Sequence, residues 1–81
     1  MHARVYVTLR RGVLDPQGKA VARSLEALGF EEVKDVRLGK LIELTLAETS
    51  IERARERIEQ MCERLLANTV IEDYRIESLE P

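Results

Sequence analysis

Residues 3–10 read Ala-Arg-Val-Tyr-Val-Thr-Leu-Arg, apolar and polar in strict alternation. Period two with β-branched residues predicts a strand with one buried face, Val5, Val7 and Leu9 on one side and Arg4, Tyr6, Thr8 and Arg10 on the other. A strand of that kind needs an apolar layer laid against it, and it leaves its other face to be dealt with separately. The rest of the chain must supply that layer.

The chain has 81 residues, room for a single domain spanning 1–81. At this size only about 60–65% of the unfolded surface is buried on folding. A two-layer core fits, whereas an enclosed catalytic cavity of about 300–1,000 Å³ does not. Association with other chains is therefore expected.

Gly12-Val13-Leu14-Asp15-Pro16 breaks the alternation. Asp15 before Pro16 reads as a helix N-cap followed by proline at the first helical position. The helix is predicted over about 16–28, with Val21, Leu25 and Leu28 on one stripe and Gly29 at the left-handed position past its end. Residues 33–38 and 41–46 read as two strands joined by a turn at Gly39-Lys40. Thr49 with Glu52 is a capping box for a second helix reaching about Leu66. Its stripe is Ile51, Ala54, Ile58, Met61, Cys62, Leu65 and Leu66. Asn68 marks its end, and residues 70–77, with Val70, Ile71, Tyr74 and Ile76, form the last strand.

The order is β-α-β-β-α-β. Two helices cover one face of a four-stranded antiparallel sheet, an α+β ferredoxin-like two-layer sandwich. Its open face carries Arg4, Tyr6 and Thr8 with Leu41, Glu43 and Thr45, and both edge strands lie open.

Charge and composition exclude several functions. Lys plus Arg is 13, Asp plus Glu is 15, and the net charge is −2. No basic footprint for nucleic acid results. Of three aromatic residues only Tyr6 points to the open sheet, too few for RNA stacking. No apolar run reaches the roughly 18 residues of a membrane span. Met1–Arg4 shows no signal peptide, and one cysteine gives no disulfide framework, so a soluble cytoplasmic chain is expected. Charge drifts from a basic start to an acidic end, which lets one molecule's beginning meet another's end.

Candidate chemistry is sparse. Cys62 lies on an apolar stripe with no histidine in sequence reach, the position of a buried structural thiol. His2 is the sole histidine and lacks companions at ligand spacing. Glu72 and Asp73 are neighbours on a strand and face opposite ways. The loop from Gly12 to Gly18 is neither a Walker loop nor a dinucleotide fingerprint, and Asp15 already occupies the helix end where an anion would sit. It is also too short, and Asp15 too acidic, for an acylphosphatase-like anion cradle. Arg37, Gly39 and Lys40 form either a plain charged turn or a contact for a partner's acidic groups.

Four runs resemble the PurS family: Gly12-Val13-Leu14-Asp15-Pro16-Gln17-Gly18-Lys19-Ala20, then Leu25-Glu26-Ala27-Leu28-Gly29-Phe30 and Val36-Arg37-Leu38-Gly39-Lys40, and finally Leu65-Leu66-Ala67-Asn68-Thr69-Val70-Ile71-Glu72-Asp73-Tyr74. The one departure is Thr69, where the family usually has proline. The resemblance implies the small subunit of phosphoribosylformylglycinamidine synthase, which converts formylglycinamide ribonucleotide with glutamine and ATP in purine synthesis. It implies a homodimer or homotetramer that joins the ATP-dependent synthetase subunit PurL to the glutaminase subunit PurQ. ATP, Mg and glutamine are used by the whole complex, and this chain binds no cofactor or metal and supplies no catalytic residue. The docking residues expected are Gly12, Asp15, Pro16, Gln17 and Gly18 in the first loop, Arg37 and Lys40, and Asn68, Glu72 and Tyr74. The competing reading is a small-ligand-sensing dimer of the same fold.

Overall fold

The alternation of residues 3–10 sorts the first strand by face as period two requires. In the computed structural model, which describes residues 1–81, Ala3, Val5 and Val7 are buried, while His2, Arg4, Tyr6 and Thr8 lie on the exposed side. This strand, β1 (His2–Leu9), is central. It pairs antiparallel with β2 (Gly39–Thr45) on one edge and with β3 (Glu72–Glu80) on the other. Between them come α1 (Pro16–Ala27) and α2 (Ile51–Met61), and α2 continues into one wider turn over Cys62–Leu66.

Helix α2 supplies the second layer. Ala54, Ile58 and Cys62 recur every four residues and are fully buried. Ile58 and Cys62 meet Ala3, Val5 and Val7, and Ala67 closes the cluster. Ile42, Leu44, Leu46, Leu66, Tyr74, Ile76 and Leu79 pack around it. A fully buried Ile or Val contributes about 1.5–3 kcal/mol. The core is therefore sufficient to hold one helix on one sheet face, and it is small: 9 of 81 residues are buried. The opposite face carries Arg4, Tyr6, Thr8, Leu41, Glu43 and Thr45 in register across β1 and β2, as the alternation predicts. The Arg75 guanidinium lies 5.3 Å from the Tyr6 ring centre, partly covering it.

The cap of α1 forms as predicted. The Asp15 side chain accepts from the Gly18 N–H at 2.8 Å, and proline occupies the first turn. Gly29 has φ of 98°. Its N–H donates to the Glu26 carbonyl and that of Phe30 to the Leu25 carbonyl, the paired bonds of a Schellman motif.

Four expectations need correction within this α+β arrangement. Residues 33–38 form no strand, so the sheet has three strands. Gly39-Lys40 is not a turn: both residues belong to β2, opposite Thr8 and Val7. The β-prone segment thus runs straight into β2 instead of folding back beside it. The second helix is capped one residue later than expected, by Ser50, whose Oγ accepts from the Arg53 N–H while donating to Glu52. Serine and threonine are adjacent and both cap well, and the Thr49 N–H is taken instead by the Glu48 carboxylate at 2.9 Å. The last strand starts at Glu72, because Asn68 holds the preceding residues in a turn: its carbonyl accepts from the N–H groups of Ile71 and Glu72. Val70 is left 81% exposed.

Candidate docking surfaces

The connection between β1 and β2 is an arm built by two side chains. Asp15 is buried, and its second oxygen accepts from the Leu38 N–H at 2.8 Å. Those two N–H bonds, from Leu38 first and Gly18 second, hold its carboxyl below the usual range despite burial. Arg37 reaches back with its guanidinium to the carbonyls of Val13 and Arg10, each at 3.1 Å, and of Leu9 at 3.5 Å. A planar fork suits three diverging carbonyls, which an ammonium cannot match in one posture. Gly18 is buried under the Val36 carbonyl, where a Cβ would sit 2.1 Å from that oxygen. Helix α1 and residues 33–38 are therefore fastened to one another at this end, while α1 makes hardly any contact with the strands of its own sheet.

Of the expected docking residues, Asp15, Gln17, Lys40 and Glu72 meet around one open cleft of about 270 Å³, with Val7, Leu9, Leu38 and Gly39 completing its wall. The Lys40 ammonium is 4.0 Å from Glu72 and largely exposed. Gly12 and Arg37 line the neighbouring groove of about 240 Å³ with Asp15 again. Pro16 is exposed at the helix start, and Gly18 lies beneath the chain.

Asn68 and Tyr74 do not line that cleft but sit at the corner between α2 and β3, where Asn68 adjoins it through Glu72. The Asn68 N–H donates to Glu72 Oε1 at 2.7 Å, and Asn68 Oδ1 accepts from the Val70 N–H at 3.2 Å. Tyr74 donates its hydroxyl proton to Glu63 Oε1 at 3.0 Å. That bond, seconded by burial, pushes the phenol up to about 12. Beside it Glu56, Glu59, Glu63 and Arg64 line an acidic groove of about 450 Å³, a feature not singled out from the sequence, where a face of Glu and Arg reads simply as solvated.

Cys62 is fully buried, and burial raises its thiol above the ordinary value, the opposite of nucleophile activation. No group of three or more His, Cys, Asp and Glu side chains is placed to hold a metal ion. No helix is long and apolar enough to cross a membrane. What the geometry offers is surface: a clamped loop, two small clefts whose walls mix apolar and charged side chains, and unpaired strand edges.

Known proteins match this chain over nearly all its length. The profile of the PurS family, described as phosphoribosylformylglycinamidine (FGAM) synthase, matches residues 2–80. The PurS subunit of Bacillus subtilis is 54% identical over 91% of this chain and 87% of its own. That of Synechocystis is 53% identical over 94% of this chain and 76% of its own. Among solved structures, B. subtilis PurS superposes with a TM-score of 0.86 at 52% identity, covering 98% of both chains. A chain of the structure of PurLQS from Thermotoga maritima gives 0.83 at 34% identity, covering 98% of this chain and 99% of that one.

Proposed function

This chain belongs to the PurS family, and from that premise we propose that it is the small subunit of FGAM synthase in purine biosynthesis. In this reading it supplies no catalytic group. It self-associates as a dimer or tetramer and joins the synthetase subunit PurL to the glutaminase subunit PurQ in the cytoplasm. ATP, Mg and glutamine are handled by those larger subunits.

The observation that carries the reading is the match, end to end, to a chain of the PurLQS structure. The site geometry agrees with it, since the exposed polar groups cluster at loop and corner positions suited to contact. The physical contribution of such a subunit is positional. Fixing an ammonia-releasing site against an ammonia-consuming one replaces free diffusion with a local concentration set by geometry. The docking set remains Gly12, Asp15, Pro16, Gln17, Gly18, Arg37, Lys40, Asn68, Glu72 and Tyr74. Within it, Lys40 and Gln17 act by direct contact, and Asp15, Gly18 and Arg37 act by holding the loop in shape.

The test is assembly. Size-exclusion chromatography of this chain mixed with PurL and PurQ from the same source is expected to give one ternary peak in the presence of glutamine and ATP. Elution of this chain alone, with the two larger subunits unaffected by it, would contradict the reading.

A further inference from the structure

Past Cys62 the apolar stripe of α2 splits. The Ala67 N–H donates to the Cys62 carbonyl, five residues back, at 3.0 Å. The last turn, Cys62–Leu66, is therefore wider than the α turns before it. A wider turn holds more residues, and each advances through a smaller angle about the axis. Leu66 still comes round to the core. Leu65, on the stripe by sequence, lags behind and is left 83% exposed. Single wide turns of this kind are frequent at functional sites.

More apolar surface follows within a few residues: Val70 is 81% exposed and Ile71 39%. One exposed leucine is ordinary, but three apolar side chains on one corner make a patch. The corner is braced. The Asn68 carbonyl accepts from the N–H groups of Ile71 and Glu72, its side chain accepts from Val70, and its own N–H donates to Glu72. The Ile71 carbonyl accepts from the Arg10 N–H at the end of β1, at 2.9 Å. A surface held this firmly loses little freedom when it is covered. Charge lies around it. The two grooves beside the corner hold five carboxylates against the guanidiniums of Arg10 and Arg64. Two of the carboxylates, Glu56 and Glu59, have no cationic partner within the chain.

We propose that this corner docks on the synthetase subunit PurL: Leu65, Val70 and Ile71 enter an apolar hollow whose edge carries lysine or arginine facing Glu56 and Glu59. The proposal rests on the scaffold reading above and deepens it by naming a surface and the chemistry that meets it. Charge selects PurL over PurQ. A synthetase works on two polyanions, ATP and a ribonucleotide phosphate, and a cleft that gathers them carries a positive field. A glutaminase takes an amino acid of no net charge. Apolar anchors inside a charged rim divide the work of an interface, since the anchors hold and the rim steers encounter. Asn68 and Glu72 shape the corner, and the contact itself falls to the side chains they hold outward.

The test is binding to each large subunit separately, by surface plasmon resonance with PurL or PurQ immobilised and with ATP and glutamine present. The double variant Leu65→Ser, Val70→Ser is expected to bind PurL at least about five-fold more weakly. Its melting temperature is expected to stay within about 5 °C of the unsubstituted chain, since both side chains are exposed. Glu59→Lys leaves the anchors in place and is expected to slow association with PurL and flatten its dependence on salt. Binding to PurQ is expected to be the same for all three chains. Unchanged PurL affinity in the double variant overturns the corner and leaves the scaffold reading standing. Weakening toward PurQ alone overturns the assignment to PurL. An unsubstituted chain that binds neither subunit removes the scaffold reading itself.

Discussion

One carboxylate joins residues 23 positions apart: Asp15 caps its own helix through the Gly18 N–H and receives the Leu38 N–H at the same 2.8 Å. The cap read from the sequence is thus also the fastening of the arm. Asp15→Ala is expected to lower the melting temperature by on the order of 5–10 °C, since both a cap and a tertiary bond are lost in a small domain. It is also expected to weaken self-association, read by sedimentation across a concentration series.

The same group sets an acid limit. Its folded pKa lies below the ordinary aspartate value of 3.8 through the Leu38 and Gly18 N–H bonds. The stability it contributes is full above the unfolded value and falls away as pH drops below about 4 toward the folded one. Denaturant midpoints between pH 5 and pH 2.5 are expected to fall less steeply in Asp15→Asn than in the unsubstituted chain.

Gly18 and Gly12 separate contact from conformation. Gly18→Ala drives a Cβ into the Val36 carbonyl, and backbone cannot swing away as a side-chain tip can. A loss of about 1–3 kcal/mol is expected, with the arm displaced. Gly12→Ala meets open space and only the strain of φ 85°, about 1 kcal/mol. Urea denaturation of both variants checks the order.

Arg37 and Lys40 differ in what they touch. Arg37→Lys is expected to cost about 1 kcal/mol, because a lysine donates from one nitrogen, whereas the guanidinium reaches Val13 from Nη1 and Leu9 and Arg10 from Nη2. Lys40→Ala leaves stability unchanged, because its ammonium is largely exposed and stands 4.0 Å from its single ionic neighbour, Glu72. Loss of ternary assembly in Lys40→Ala at unchanged melting temperature identifies direct contact there.

Tyr74 provides a spectroscopic probe of the α2–β3 corner. Its bond to Glu63 favours the neutral phenol and pushes its ionisation up to about 12. The stability this adds is full below pH 10 and disappears as pH rises toward 12. Absorbance titration at 295 nm is expected to show a late step that Tyr74→Phe removes and Glu63→Gln moves to lower pH.

How much of the fold is legible in the sequence depends on range. Alternation places Val5 and Val7 inside, though Leu9 at the strand end is only half-buried, and the helical stripe places Ile58 and Cys62 against them, because both patterns are local consequences of backbone period. The Asp15-Pro16 cap and Gly29 read directly for the same reason. The Gly39-Lys40 turn does not: a glycine permits a hairpin without requiring one, and whether residues 33–38 fold back is decided by contacts outside the segment. The second bond of Asp15 and the three of Arg37 are long-range and leave no local trace. Arg37 therefore reads as a free charge near a turn, when it is a brace within the arm.

The measurement closest to the scaffold role is a reconstitution. PurL and PurQ from the same source are assayed for glutamine-dependent FGAM formation with and without this chain, and ammonia-dependent synthesis is followed in parallel. Glutamine-dependent activity is expected only when the chain is added, while ammonia-dependent activity is expected throughout. Equal glutamine-dependent rates in its absence would contradict that role.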